Sequence, residues 1–279
     1  MKSSWIIVRG GGDLATGTIH RLWSCGFKVL VLETKMPAAI RRQVSVCEAV
    51  YDGEAIVEGM KATRIFSWEQ AEKIIESGAV PVLVDPEGAS IDMLHPRVVI
   101  DAILAKRNLG THREMAPLTI GLGPGFCAGK DVDVVIETKR GHDLGRVIYS
   151  GMAAPNTGIP GMVGGYAKER VLHAPVEGAF KGYAGIGDIV EAGAPVAAVI
   201  GNDGTATPLT AGFSGIVRGL LRDGYPVTKG FKVADIDPRK EELANCFTIS
   251  DKARCIAGSV LEVVVRECIK NPKQKTDYN

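Results

Sequence analysis

Aromatic side chains are scarce, at 6% of the 279 residues, so any core must be filled mainly by aliphatic groups; with 46% apolar residues there are enough of them for ordinary cores. No apolar run approaches the ~18 residues that suggest a membrane span, so no membrane partner is expected. No charged-then-apolar leader stands before the first apolar run, and nothing in that stretch marks export. The net charge is only +1, which leaves no electrostatic footprint for nucleic acid and sets that class of partner aside. The six cysteines, at 25, 47, 127, 246, 255 and 268, form no CxxC and are not joined by paired histidines; no metal site is expected. They read as reduced thiols, mostly buried, in a cytoplasmic globular protein.

What is abundant is glycine, with 34 residues, and the most informative glycines come first. The run Trp5-Ile6-Ile7-Val8-Arg9 reads as a buried strand that breaks into Gly10-Gly11-Gly12-Asp13. Leu14, Ala15, Thr18 and Leu22 then recur at helical spacing up to Gly26, and a second strand over 28–32 ends at Glu33. Strand, glycine turn, helix, strand and acid is the order of a dinucleotide-binding βαβ unit. In that reading Gly10 permits the tight turn, Gly12 lets backbone approach a phosphate, and Ala15 allows close helix–strand packing. The phosphate meets the unpaired N–H groups of the helix start. Glu33 lies 23 residues past Gly10, where it can accept hydrogen bonds from a ribose. Asp13 is unusual beside a phosphate and is also readable as a helix cap. Arg9 closes the strand as a cation able to neutralise Asp13 or to meet a ligand anion.

Further along, Arg41 and Arg42 follow the second strand, where basic residues can meet a 2′-phosphate or simply form a solvated helix face. Extended segments are expected over 55–59 and 62–66. Ser67 and Gln70 form a capping box for a helix that ends at Gly78. Residues 80–84 read as a strand ending at Asp85, and 98–100 as a strand ending at Asp101 and leading into a helix over 102–106. This alternation predicts a doubly wound parallel sheet. A strand over 118–122 runs into Gly123-Pro124-Gly125 and then into the β-rich run 132–138, so it is not a second dinucleotide fingerprint. The turn Lys139-Arg140-Gly141-His142-Asp143-Leu144-Gly145-Arg146 joins two strands; its cations and histidine suit an anion site or a solvated hairpin tip.

Residues 151–170 are rich in glycine and proline and read as a linker. Beyond them lies a repeat. At an offset of 37 without a gap, Ala174, Gly178, Gly182, Gly187, Val190, Gly193 and Ala197 match Ala211, Gly215, Gly219, Gly224, Val227, Gly230 and Ala234. Each half reads as short strands and turns, which predicts a small sandwich of two intertwined halves over 171–239. The pattern resembles biotinyl/lipoyl-type (barrel-sandwich hybrid) domains. Those domains carry a modified lysine on the hairpin between halves, whereas residues 201–208 here have none, so a swinging-arm carrier is set aside. Residues 240–279 are expected to hold a C-terminal helix with Ala253, Ile256, Ala257, Val260, Leu261 and Val264 on one stripe, capped by Ser250 or Asp251 and fraying from Lys270. The expected class is thus α/β, with a Rossmann-like doubly wound parallel sheet over 1–150 followed by the sandwich and a C-terminal helix.

Several motifs point further: residues 8–17, 39–45, 57–59, 121–126, 136–146 and 155–161. Together they resemble the YqeB-type accessory proteins of selenium-dependent molybdenum hydroxylase systems. The resemblance implies a role in maturing a molybdenum hydroxylase, with that enzyme or other maturation proteins as partners. It carries over no catalytic residues. The candidates for binding a nucleotide-like small molecule are therefore chemical inferences: Arg9, Gly10, Gly11, Gly12, Asp13, Ala15, Glu33, Arg41, Gly123, Arg140, His142 and Arg146. The cofactor is unknown, with NAD(P) or a molybdopterin nucleotide as options. Two other readings stay open: an NAD(P)-dependent oxidoreductase, for which His142 beside Asp143 is the nearest catalytic pair, and a non-enzymatic scaffold with a vestigial nucleotide site.

Overall fold

The computed structural model describes residues 5–158 and 161–270; Ile159 and Pro160 of the 155–161 motif and the tail from 271, expected to fray, lie outside the described residues. The chain divides into two compact units, one formed by Met1–Pro37, Ser45–Asn156 and Ile249–Asn279, the other by Ala38–Val44 and Thr157–Thr248.

In the first unit the apolar runs form β1 (Ile6–Arg9), β2 (Val29–Glu33), β3 (Glu54–Val57), β4 (Met60–Ile65), β5 (Val80–Val84), β6 (Val98–Asp101) and β7 (Leu118–Leu122). The short β8 (Cys127–Ala128), β9 (Val134–Ile136), β10 (Val147–Ile148) and β11 (Gly151–Met152) follow. Nine of them make one sheet in the order β10-β9-β7-β6-β1-β2-β5-β4-β3, and β8 pairs with β11 apart from it. Helix α1 (Asp13–Ser24) connects β1 to β2, its neighbour in parallel register. The other helices are α2 (Ala49–Asp52), α3 (Ala71–Glu76), α4 (Ala89–Leu94) and α5 (Asp251–Lys270). Alternate strand residues point to opposite faces. Ile7, Leu30, Leu32, Leu83 and Val99 pack with Ala71 and Ile91 of α3 and α4. Helices α1 and α5 pack on each other, with Ile19, Leu22, Ile256, Val260 and Val264 buried. Val263 joins the buried stripe of α5 in place of the expected Leu261. Ser250 caps that helix, its Oγ accepting from Ala253 N–H at 3.2 Å.

The expected fold class is corrected by this topology. The sheet is mixed: β3 runs antiparallel to β4 and β10 antiparallel to β9 at its two edges. Glu58 (φ 47°) and Gly59 (φ 83°) turn β3 directly into β4, the two positive-φ residues that a tight hairpin requires. Nor is the sheet doubly wound throughout. The helix expected over 102–106 is absent, since Leu104 (φ 60°) and Lys106 (φ 64°) are left-handed and a helix of L-residues cannot pass through them. No α-helix separates β6 from β7 or β7 from β9. The capping box is not made: Gln70 Oε1 accepts at 2.8 Å from Phe66 N–H, one residue before the cap position, Ser67 makes no cap bond, and a 3-10 turn, Trp68–Gln70, precedes α3.

The second unit holds β12 (Val171–His173), β13 (Gly178–Gly182), β14 (Ile189–Val190), β15 (Pro195–Ile200), β16 (Ala206–Thr210), β17 (Gly215–Leu220), β18 (Pro226–Val227) and β19 (Lys232–Asp237). They form two four-stranded sheets, β12-β19-β17-β14 and β16-β15-β13-β18. Phe180, Val196, Val199 and Leu209 of one sheet share a core with Val217, Val233 and Ile236 of the other. The repeat is visible in the strands, because β17, β18 and β19 begin 37 residues after β13, β14 and β15. Each half lends its short strand to the other's sheet, β14 pairing with β17 and β18 with β13. The likeness to a biotinyl/lipoyl-type domain does not carry over as the fold. Strands β12 and β16, the segment Ala38–Val44 and a 3-10 turn at Lys240–Cys246 are all built into the unit, and a glycine pattern that sets turns could not announce them.

Two matched glycines have a steric reason. A Cβ on Gly178 would lie 2.2 Å from the Ile200 carbonyl oxygen, and one on Gly215 would lie 2.5 Å from that of Asp237, the equivalent position. Gly178→Ala and Gly215→Ala are each expected to lower the unfolding free energy by about 1–3 kcal/mol or more in urea titrations. Gly212→Ala, with nothing within 4 Å, should change it by less than about 0.5 kcal/mol. Equal effects at the three positions would contradict this account.

Candidate functional site

The end of β1 is a turn with room for backbone alone. Gly10 has φ 94°, and a Cβ there would meet the Ala102 carbonyl oxygen at 2.9 Å; one on Gly11 would meet Cys47 N at 3.0 Å. From behind, Cys47 N–H donates to the Gly11 carbonyl at 2.9 Å. The Thr16 hydroxyl lies 2.9 Å from the Gly12 carbonyl and accepts from Val46 N–H at 3.0 Å. Gly12 is different. It is the N-cap of α1, it has no side-chain cap, and a Cβ on it would meet nothing within 4 Å. Asp13 occupies the first turn, where the helix dipole favours a carboxylate; it is not the cap. Ala15, one turn on, is buried.

Glu33 stands across from this turn at the end of β2. Its Oε2 accepts from Gly11 N–H at 2.7 Å and its Oε1 from Thr34 N–H at 2.7 Å. Burial pushes its carboxyl up, partly opposed by those two N–H groups. Cys47 is buried beside it, its thiol pushed well up by burial and then by the charges of Glu33, Glu48 and Asp13.

Arg9 does not face this space. It is 3% exposed, Nη1 donates to Thr111 Oγ1 at 2.6 Å, and Nη2 donates to the Pro86 carbonyl at 2.9 Å. Thr111 Oγ1 donates in turn to Asp101 Oδ2 at 2.6 Å, and Arg9 lies 4.0 Å from the same carboxylate. Burial raises the Asp101 carboxyl against the Thr111 and Ile103 hydrogen bonds and the Arg9 charge. The charge partner of Arg9 is therefore Asp101 and not Asp13.

The remaining candidates separate. Gly123 (φ 81°) follows β7, and a Cβ there would lie 2.5 Å from Thr138 Oγ1. The turn 139–146 joins β9 to β10, but two of its three cations are engaged: Arg140 bridges both oxygens of Asp251 at 2.7 and 2.8 Å, and Arg146 pairs with Asp143 at 2.7 Å. His142 is exposed. Arg41 belongs to the second unit, where it is buried and donates to the carbonyls of Asn245 and Thr248 at 2.9 and 3.2 Å. The cysteines are free, but only Cys47 and Cys246 are buried, which corrects the expectation that most would be. Among the described residues no group of three or more His, Cys, Asp or Glu side chains is placed to hold a metal, and no helix is long and apolar enough to cross a membrane.

Sequence reasoning also passed over one titratable residue of the first unit. Lys252, in the first turn of α5, is half-buried, and burial and then the Arg140 charge lower its ammonium against the pull of Asp13, Glu137 and Asp251. Its neighbour Ala253 is the residue against which Gly17 of α1 packs, with a Cβ on Gly17 falling 2.8 Å from that of Ala253. Nothing in the local pattern marked it, since its environment comes from α1 and residues 137–140.

The first unit is thus a mixed α/β sheet with a glycine turn and a helix N-terminus open at one strand end. No model of a known protein family matches the chain. Over 260 residues it is 50% identical to the uncharacterized protein YqeB of Escherichia coli (strain K12), a match that covers 93% of this chain and 47% of that protein. This supports the YqeB-type resemblance; the chain spans about half the length of that curated relative. Solved structures align at low similarity. An aspartoacylase family protein from Mesorhizobium loti is 12% identical, with 85% of each chain covered and a TM-score of 0.28. A succinylglutamatedesuccinylase/aspartoacylase from Rhodobacter sphaeroides is 14% identical, with 84% of this chain and 86% of that one covered and a TM-score of 0.28. The product-bound ectoine utilization protein EutE (DoeB) from Ruegeria pomeroyi is 12% identical, with 84% and 57% covered and a TM-score of 0.24. Scores of this size carry no argument about fold or activity.

The raised Glu33 carboxyl has a measurable consequence. The folded protein keeps this proton to higher pH than the unfolded chain, so the contribution to stability is full below the unfolded pKa and is lost as pH rises through the folded one. Glu33→Gln removes that dependence. Between about pH 4 and about pH 7 the stability of the variant relative to the parent should therefore rise, as read by urea unfolding across that range. A falling difference would contradict the assignment.

Proposed function

We propose that this chain is an accessory, maturation-type protein of a selenium-dependent molybdenum hydroxylase system, and that its first unit binds a nucleotide or a molybdopterin-type nucleotide cofactor. The phosphate-bearing part sits at Gly10–Asp13, on the N–H groups of the first turn of α1, and Glu33 takes a hydroxyl of the ligand through its remaining lone pairs. The observation that carries this reading is Gly12: in a turn whose other two glycines are packed against backbone, it opens on free space at an N-cap without a side-chain cap. What supports the cellular role is the sequence resemblance; the YqeB relative supports the YqeB-type likeness and not the role. The hydroxylase and its other maturation factors are the proposed partners, and NAD(P) remains an alternative ligand.

One observation favours a second reading, a scaffold with a vestigial site. The carboxylates of Asp13, Glu33 and Glu48 all act on Cys47 beside the turn, and Glu33 already takes the Gly11 N–H. Acids so placed oppose a pyrophosphate.

Thermal and chemical unfolding of the full chain with NAD, ADP and a molybdopterin dinucleotide separates the two. A ligand present at 100 times its Kd should add about 2.7 kcal/mol to stability. Gly12→Val should abolish that gain while costing the unliganded chain no more than about 1 kcal/mol, because the position meets no neighbour. No gain with any of the three ligands would favour the scaffold.

A further inference from the structure

The second unit is built twice over, and its two outer faces have opposite character. In the sheet β16-β15-β13-β18 the inward residues Phe180, Ala197, Val199 and Leu209 belong to the shared core. The alternate positions point away from it. By register they form two outward rows, Pro226-Ala179-Ile200-Ala206 and Lys181-Ala198-Pro208. Ala179, Lys181, Ala206, Pro208 and Pro226 are exposed, and Ile200 is half-buried. Lys181 is the one charged residue in the two rows, and it pairs at 2.5 Å with Asp223, in the turn before β18.

The 37-residue repeat supplies the comparison. The matched positions in the other sheet are Ile216 for Ala179, Arg218 for Lys181, Asp235 for Ala198 and Asp237 for Ile200. That outer face is charged, yet Ile216, Asp235 and Asp237 are buried. Its own chain covers it. Arg170 donates to both oxygens of Asp235 at 3.0 and 3.3 Å, Arg239 donates to Asp237 at 2.7 Å, and the turn Lys240–Cys246 packs on β17. Polarity and exposure are thus inverted between the two faces: the charged one is buried and the apolar one is open. A contiguous apolar face left in water marks an interaction surface.

We propose that the outer face of β16-β15-β13-β18 packs on the same face of a second copy of this chain, about a twofold axis. Three features select that occupant. The edges of the sheet are blunted against strand addition, because β16 and β18 carry Pro208 and Pro226, which have no N–H to donate. The face is self-complementary in charge, with one cation in its rows and one anion beside it, so a twofold can set each Lys181 against Asp223 of the other copy. Its size suits a weak dimer. Four strands about 4.8 Å apart, each about five residues long at about 3.4 Å per residue, give a face of about 300 Å². A stable complex buries about 800 Å² on each partner, so this association is a reversible one.

The test is sedimentation velocity of the full chain from about 1 to about 300 µM, the range in which a weak dimer dissociates, with the melting temperature of each variant as a check on folding. The parent should shift from one chain to two across that range. Ala179→Asp and Ala206→Asp, each placing a carboxylate on the face, should weaken the dimer about tenfold or more. Both positions are exposed, so these variants should melt within about 3 °C of the parent. Lys181→Asp should also weaken the dimer, and Lys181→Asp combined with Asp223→Lys should restore it, because the swap keeps the face self-complementary. A parent that stays monomeric at every concentration would overturn the proposal and give the face to a different partner. A dimer that both carboxylate variants leave unchanged would overturn it by placing the contact elsewhere on the chain.

Discussion

The turn between β1 and α1 has space for peptide and little else, and much of the first unit is arranged about that constraint. Gly10 lies against the backbone after β6, Gly11 against the segment at Cys47, and Gly17 of the following helix against Ala253 of α5. Three segments distant in sequence thus converge on one strand end. Each contact is to backbone or to a short side chain, so a single Cβ would displace a chain segment and not a flexible tip. The exception, Gly12, is what gives the turn an outward face.

Beside this turn a buried ionic relay fixes the neighbouring strand. Arg9, Thr111 and Asp101 are nearly inaccessible, and the threonine hydroxyl stands between the two charges. A buried pair adds little over an apolar filling, but losing one partner strands the other charge, at about 3–5 kcal/mol. The arrangement holds the loop after β6, through Ile103 N–H and the Asn108 side chain, in a conformation with left-handed residues that no helix would allow. The same loop carbonyl that crowds Gly10 is therefore held in place by Arg9. Strand end, loop and glycine turn stand or fall together.

How much of this was legible in the sequence depended on whether the signal was local. Continuous apolar runs ending in glycine located β1, α1 and β2, and the glycines recurring at 37 residues located the paired strands of the second unit, because both signals lie within a few residues of the element they define. The fold class was not legible. The hairpin at Glu58-Gly59 needs a left-handed glutamate, and nothing in its neighbours announces one; its carboxylate is secured by Arg254 and by Ile249 N–H, far along the chain. Residues 102–106 have ordinary helix-forming side chains, but the Asp101 carboxylate takes the Ile103 N–H and the Thr111 hydroxyl, and Arg9 of β1, distant in sequence, lies against it. The structure brings Gly10–Asp13 and Glu33 to one strand end, whereas Arg9, Arg41, Arg140 and Arg146 are held by partners that spacing could not identify.

A nucleotide-like ligand on the open face at Gly12 is what native mass spectrometry of the full chain would detect, as isolated and after incubation with ADP and NAD. One nucleotide-sized adduct per chain is expected, released by denaturation and abolished by Gly12→Val. A chain that shows only its own mass, as isolated and with both nucleotides, would contradict it.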